Sequence, residues 1–149
     1  MSTKNLKAIL FDVDGTLADT ERNGHRVAFN MAFAEAGLDW VWGEGLYGQL
    51  LSVTGGKQRM KYYLADFYEG EQPEGDVDAL IKGLHERKNE FYQALLSEGK
   101  IPLRAGVKRL IDEARSEGVL VGIATTTTPG NVYSLLNATL GEGAQDWFA

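Results

Sequence analysis

Two short apolar runs, far apart along the chain, place the strongest limit on what this sequence can fold into. The first runs from Leu6 to Phe11, interrupted by Lys7, and ends abruptly at Asp12, and the second, VLVGIA, covers residues 119–124. Mainly apolar runs of this length are typical of strands that are buried on both faces of a parallel sheet. The residues between the two runs are helical in pattern, which predicts a parallel α/β fold.

Helical spacing of apolar residues accounts for most of the remaining chain. The longest helix is predicted from apolar positions three and four apart between Val77 and Leu95, a rhythm that Lys88 breaks once. Predicted helices cover residues 21–36, 46–52, 57–68, 77–97, 107–117 and 132–140. We therefore expect residues 1–20 and 100–149 to form an incomplete parallel-sheet core and residues 21–99 to form an inserted helical cap.

Charge and cysteine content exclude several classes of function. The 149 residues carry a formal charge of −6 and contain no cysteine. A chain without any basic run lacks the electrostatic footprint for nucleic acid or an anionic membrane, so neither is expected as a partner. Disulfides and thiolate chemistry are ruled out as well. Since no apolar stretch is long enough to span a bilayer, we expect a cytoplasmic protein.

The end of the first apolar run, FDVDGT, places two carboxylates one residue apart, at Asp12 and Asp14. An Asp-Gly hairpin would need a second strand at once, but the following residues are helical in pattern. A calcium loop would need Gly and Glu where this chain has Leu17 and Asn23. Neither alternative fits the spacing.

Carboxylates at this position suit phosphoryl chemistry. Ligands of open α/β sheets bind beyond the carboxyl ends of the strands, where Asp12 and Asp14 would lie. Paired carboxylate oxygens favour Mg²⁺, and an aspartate can attack phosphorus to form an aspartyl-phosphate. Gly15 permits a close approach of the backbone and Thr16 adds a hydroxyl group.

The second apolar run ends in a comparable way, in the sequence ATTTT. Thr125 and the backbone N–H of Thr126 are candidates for holding a phosphate oxygen. Threonine runs are also common simply because Thr suits a strand. Since the run and the D-x-D-G-T motif are predicted to share a sheet, we favour the phosphate interpretation.

With these motifs in place, the chain resembles the haloacid dehalogenase (HAD) superfamily of Mg²⁺-dependent phosphohydrolases, which have a Rossmannoid parallel-sheet core. The helical insert resembles a C1-type cap. The stretches FDVDGTLADTE, TGGK, PLRAGV and ATTTT are similar to the CbbY-like branch near β-phosphoglucomutase, which acts on xylulose-1,5-bisphosphate or related sugar phosphates.

The resemblance implies a role for each motif residue. Asp12 would attack the phosphorus, and Asp14 would protonate the leaving oxygen and then activate water. Mg²⁺ would be held by the Asp12 carboxylate and the Asp14 backbone carbonyl, while Thr125 would match the second family motif. The implied activity is hydrolysis of a small phosphorylated substrate.

Candidates in the predicted cap come from two stretches. Glu21 and His25 lie near substrate-facing positions of the branch, although the spacing to His25 is one residue longer than in many relatives. An ordinary structural histidine is an equal alternative. In the second stretch we expect Thr54 to cap the next helix and expose its amides to phosphate, and a plain turn between helices is again an equal alternative. The residues of this stretch are Thr54, Gly55, Gly56, Lys57 and Arg59.

Two further residues are given minor roles. His85 is expected to be solvated at the surface. Arg104 is expected to act as a hinge where the chain returns to the core.

The chain departs from the family after its second motif. The family's third motif supplies a Lys and its fourth an acidic pair, but no Lys or Arg follows Arg115 here. We therefore expect a truncated chain whose activity is impaired and whose exposed sheet edge can support self-association. The alternatives are a phosphomutase and a non-catalytic module that binds phosphate or forms oligomers.

Overall fold

A two-stranded parallel sheet organises the fold. The computed structural model describes residues 6–149, and in it strand β1 spans Ala8–Phe11 and strand β2 spans Leu120–Ile123. The strands pair in parallel, with Phe11 opposite Ile123. On the far side of β2, Val121 forms a parallel bridge with Phe148. The predicted α/β class with a parallel sheet is confirmed.

Helices connect the strands in the predicted order. They are α1 (Arg26–Glu35), α2 (Glu44–Leu50), α3 (Gly56–Asp66), α4 (Val77–Ser97), α5 (Val107–Ser116) and α6 (Pro129–Leu140), followed by a 3₁₀ turn at Ala144–Trp147. Within residues 6–149, none of the helices combines the length and the apolar character that crossing a membrane requires.

The starts of α1 and α6 differ from the prediction. A π-helical turn, Glu21–His25, precedes α1, so the predicted helix does not run regularly from residue 21. Such turns are typically single-turn bulges within or beside an α-helix. Helix α6 begins at Pro129 instead of residue 132, because Thr128 caps it and proline suits the first helical position.

The expectation that both strands are buried on both faces is wrong. The side chain of Leu10 is 72% exposed and that of Leu120 is 63% exposed, whereas Phe11 and Val121 are buried. A strand is covered on both faces only where a layer packs against each face of the sheet. In the part of the chain that the structure describes, one face of this small sheet has no such cover.

The chain divides into two compact units. One contains residues 1–24 and 93–149 and is called the sheet unit; the other, His25–Tyr92, is called the helical unit. The predicted insert, residues 21–99, extends beyond the helical unit at both ends. Its assignment as a cap remains a prediction.

Aromatic side chains form the core of the helical unit. The loop between α1 and α2 contributes Trp40 and Trp42, which are 2% and 0% exposed. The Trp42 ring contacts Phe29 and Phe33, with ring centroids 4.8 and 4.9 Å away. The side chain of Asn30 donates to the Trp42 carbonyl over 2.9 Å and accepts from its N–H over 2.8 Å. This pair of hydrogen bonds fixes an irregular loop against a regular helix.

Candidate active site

The carboxyl ends of the two strands bring the predicted catalytic motifs to one edge of the sheet. Phe11 and Ile123 are paired, and the N–H of Ala124 donates to the Phe11 carbonyl over 2.9 Å. Asp12 follows directly on one strand and Thr125 follows one residue later on the other. Parallel pairing therefore places both at the edge where ligands of α/β sheets bind.

The two aspartates have different surroundings. Asp12 is exposed, and its Oδ1 accepts from the N–H of Val13 over 2.8 Å. Asp14 is partly buried, and its Oδ1 accepts from the Thr20 hydroxyl over 2.6 Å. Since Thr20 is only 1% exposed, this hydrogen bond holds Asp14 in a fixed orientation. Asp12 is the more accessible carboxylate and Asp14 the more restrained one.

Backbone contacts fold the segment after Asp14 into a tight loop. Gly15 has a φ of +79°, a conformation that favours glycine, and its N–H donates to the Ala18 carbonyl over 2.8 Å. Arg104 binds the loop twice, since its side chain donates to the Gly15 carbonyl over 2.5 Å and its N–H to the Leu17 carbonyl over 2.8 Å. Thr16 is exposed on this loop. Arg104 thus braces the aspartate loop, a contact that its predicted role as a hinge did not include.

The threonine run, residues 125–128, leads from β2 into α6. The hydroxyl oxygen of Thr125 accepts from the N–H of Thr127 over 3.2 Å, and the Thr128 hydroxyl caps the helix. Thr126 is exposed between them. The run therefore serves as a turn and helix cap, and its Thr125 and Thr126 remain candidates for phosphate contacts at the strand end.

The donor set of the aspartate loop is compatible with a partly hydrated magnesium ion. No group of three or more His, Asp or Glu side chains within residues 6–149 is placed to hold a metal. Mg²⁺ usually keeps several waters and takes one or two carboxylates together with substrate phosphate oxygens. Asp12, whose exposed carboxylate uses one oxygen for Val13, and the neighbouring carbonyl of Asp14 fit that pattern.

In the helical unit, His25 is paired with a buried lysine. Lys88 is 6% exposed, and its Nζ lies 2.9 Å from Nδ1 of His25. An ammonium group can only donate, so Nδ1 accepts and the proton of the neutral imidazole lies on Nε2. The ring also stacks on Tyr92, with centroids 3.9 Å apart. Burial, followed by the charge of Lys88, lowers the pKa of His25 to about 3, which keeps the imidazole neutral at physiological pH.

Lys88 was predicted only as a break in the apolar spacing of the long helix, and its contact with His25 makes it a further candidate for the site. Its Nζ lies 4.9 Å from the Phe29 ring centroid and 5.3 Å from that of Tyr92. The available signal was its position as the polar break in the apolar face of α4. A lysine within an apolar stripe indicates a buried cation that needs partners.

The Gly-Gly turn differs from the expected capping arrangement. Thr54 does not cap α3; the capping position is held by Gly55, which has a φ of +91° and offers no side-chain hydrogen bond. The prediction that Thr54 caps α3 is wrong, because the chain enters the helix through a glycine conformation one residue later. Gly56 and the exposed Lys57 form the first turn of α3.

Arg59 lies inside the protein and does not extend from the turn. Arg59 is 9% exposed, and its guanidinium group donates to the carbonyls of Leu50 and Val53 over 3.3 and 3.0 Å and to the Tyr47 hydroxyl over 3.3 Å. These contacts satisfy carbonyls at the end of α2. Arg59 is therefore built into the α2–α3 connection.

The predicted site residues fall into two groups. Asp12, Asp14, Gly15, Thr16, Thr125 and Thr126 lie in the sheet unit, as does Glu21 at the first position of the π-turn. His25, Thr54, Gly55, Gly56, Lys57 and Arg59 lie in the helical unit.

Comparison with known families decides the classification. The family model of haloacid dehalogenase-like hydrolases matches residues 6–148. The chain belongs to this family. The resemblance inferred from the D-x-D-G-T motif is thereby confirmed.

Several members of the family are similar in sequence and structure. The plasmid-encoded protein CbbY of Cupriavidus necator is 48% identical over 143 residues, which cover 95% of this chain and 54% of that protein. A crystal structure of a CbbY variant from Rhodobacter sphaeroides in complex with xylulose-(1,5)bisphosphate has 43% identity and a TM-score of 0.72, and covers 96% and 61%. A crystal structure of CbbY from the same organism in complex with phosphate has 44% sequence identity and a TM-score of 0.71. The match again covers 96% of this chain and 61% of that one. This chain thus spans between half and two thirds of the length of these relatives.

Proposed function

We propose that this chain carries the nucleophile and the proton-transfer group of a Mg²⁺-dependent hydrolase of small sugar phosphate monoesters. The observation that carries the proposal is the placement of Asp12 and Asp14 at the end of β1, beside the strand that leads to Thr125. Two carboxylates with unequal surroundings at such an edge suit division into nucleophile and acid–base.

The first half of the reaction uses the two carboxylates in sequence. An Asp12 carboxylate oxygen attacks the phosphorus, and the bond from phosphorus to the sugar oxygen breaks. The leaving oxygen takes its proton from Asp14, which the Thr20 hydroxyl holds in place. The free sugar alcohol departs and an aspartyl-phosphate remains on Asp12.

Hydrolysis of the aspartyl-phosphate regenerates the site. Asp14, now a carboxylate, takes a proton from water, and the water oxygen attacks the phosphorus. The bond between phosphorus and Asp12 breaks, releasing inorganic phosphate. Asp14 ends the cycle protonated, as it began it.

Magnesium would be held by the Asp12 carboxylate and the Asp14 backbone carbonyl. When bound, the ion supplies positive charge that offsets the repulsion between an anionic nucleophile and the phosphoryl oxygens. Gly15 and Thr16 would approach the phosphoryl group from the same loop, and Thr125 and Thr126 from the end of β2.

We further propose that residues 21–99 act as a substrate-recognising cap. Glu21, His25 and the turn at Thr54–Lys57 are the proposed substrate contacts, and Lys88 orients His25 so that Nε2–H is left to donate. Arg59 is given a positioning role because its donors are directed to protein acceptors. Xylulose-1,5-bisphosphate is the first substrate to try, since a 43% identical CbbY has been crystallised with it.

The proposal is tested by measuring Mg²⁺-dependent phosphate release from an aryl phosphate and from a panel of sugar bisphosphates. The chain is assayed as it is and fused to the part of CbbY that it does not match. The resemblance implies that this part carries the Lys of the third family motif and the acidic pair of the fourth. Without these groups the rate should be lower by several orders of magnitude, at about 2.7–4 kcal/mol for each group. We expect the fusion to be much faster than the chain alone.

The nucleophile is tested in the fusion with Asp12→Asn, and Asp19→Asn from the same segment is the matched control. Asp12→Asn should abolish phosphate release while the circular dichroism spectrum is unchanged, and the control should keep most of the rate. Retention of the rate in Asp12→Asn would show that another residue attacks the phosphorus.

A further inference from the structure

The connection between α4 and α5 pairs with the far end of the aspartate loop. Leu103 forms an antiparallel bridge with Ala18, and the backbone N–H of Arg104 donates to the Leu17 carbonyl over 2.8 Å. Leu17 and Ala18 are both 0% exposed, so this pairing lies inside the sheet unit. The aspartate loop is therefore anchored to a segment that follows it only after the whole helical unit.

Ala18 passes this constraint to the backbone carbonyl of Asp14. The N–H of Gly15 donates to the Ala18 carbonyl over 2.8 Å. That N–H and the Asp14 carbonyl belong to one planar trans peptide unit, in which the two groups point in opposite directions. The hydrogen bond to Ala18 thus sets the direction of the Asp14 carbonyl, which is the proposed backbone ligand of Mg²⁺.

Arg104 holds the next peptide unit, on the other side of Gly15. Its Nη1 donates to the Gly15 carbonyl over 2.5 Å. The φ of Gly15, +79°, lies in a region that glycine enters freely, so the two peptide units can rotate relative to each other. Apart from its neighbours in the chain, no atom of the described residues would lie within 4 Å of a methyl group at position 15. Hydrogen bonds, and not packing, therefore hold the loop at this glycine.

We propose that Arg104 is a positioning residue for magnesium. By binding the Gly15 carbonyl, its guanidinium group stops rotation at Gly15 and keeps the Asp14 carbonyl in one direction before the ion arrives. In this role Arg104 acts through the loop and contacts neither the ion nor the substrate. The inference rests on the proposed Mg²⁺ site and adds to it a residue that sets the affinity of that site.

The positioning role and the charge of Arg104 have opposite effects on metal affinity. A positive side chain close to a cation site repels the ion, so loss of the charge alone would tighten Mg²⁺ binding. Loss of a group that orients a metal ligand weakens binding instead, typically by about 10–100-fold. Because Arg104 is exposed, water screens its charge and the repulsion is small. We therefore expect Arg104→Met to bind Mg²⁺ about tenfold more weakly than the wild type.

Titration of the chain with Mg²⁺ alone measures this affinity without any turnover. The amide NMR signals of Asp14 and Gly15 follow binding, and circular dichroism checks that each variant is folded. Arg104→Lys keeps one donor but not the planar guanidinium group, so it should bind with intermediate affinity, and it decides the test if Arg104→Met does not fold. Arg109→Met is the matched control, because it removes the same charge from an exposed position on α5; it should bind Mg²⁺ as the wild type does.

The inference is overturned if Arg104→Met binds Mg²⁺ as tightly as the wild type or more tightly, or if Arg109→Met is weakened to the same extent. Asp12→Asn separates this failure from failure of the proposed site. If Asp12→Asn loses Mg²⁺ binding while Arg104→Met keeps it, the metal site stands and only the role of Arg104 is wrong. If the wild type shows no saturable response to Mg²⁺ at Asp14 and Gly15, the metal site and the inference are both wrong.

Discussion

Replacement of His25 by glutamine should make the stability of the protein less sensitive to acid. The pKa of His25 is lowered to about 3, chiefly by burial and then by Lys88, from its usual value of 6.5. The folded state therefore keeps the ring neutral while the unfolded chain binds a proton below pH 6.5. Stability rises with pH between the two pKa values, and acid removes it in that window.

The magnitude follows from this difference in pKa. Between about pH 7.5 and pH 5 the unfolded chain binds nearly one proton at His25, which the folded protein does not bind. The free energy of unfolding therefore falls by about 1.36 kcal/mol for each pH unit below 6.5. The wild type should lose about 2 kcal/mol more of its free energy of unfolding than His25→Gln does over this range. His85 is present in both proteins, so its contribution cancels in the comparison.

Urea unfolding at the two pH values provides the measurement. Trp40 and Trp42 lie in the core of the helical unit, so their fluorescence reports the loss of the structure around His25. The His25 imidazole signal should also show no titration above about pH 4 in the folded protein, since this is one unit above its pKa. Equal losses of stability in the wild type and the variant would refute the assignment of a neutral His25 in the folded protein.

Two further predictions concern packing in the helical unit. Asn30→Ala should lower the free energy of unfolding by about 1–3 kcal/mol, because the backbone N–H of the buried Trp42 loses its acceptor. Unchanged midpoints of urea unfolding would contradict this prediction. Gly56→Ala should cost about 1–3 kcal/mol by forcing a methyl group against His85, and the cost should fall in the Gly56→Ala/His85→Ala double variant. A double-mutant cycle from urea unfolding measures this coupling, and strictly additive effects would show that the two residues do not compete for space.

Local signals in the sequence were sufficient to predict the class of fold and the position of the D-x-D-G-T motif at the end of a strand. Asp12 and Asp14 follow an apolar run, and strand ends are where α/β proteins bind ligands. The limits of α4, predicted as residues 77–97, match the structure because its apolar spacing is regular and its ends are well marked. These features depend on residues close together in the chain.

Tertiary packing decided the environment of each side chain. Lys88 and His25 are 63 positions apart, and only the packing of α4 brings the buried Lys88 into contact with His25. The same packing places the half-buried His85 against Gly56. In the connection between α2 and α3, the fold turns Arg59 toward the carbonyls of Leu50 and Val53. A spacing pattern gives the face of a helix on which a residue lies, but burial, partners and pKa depend on what packs against that face.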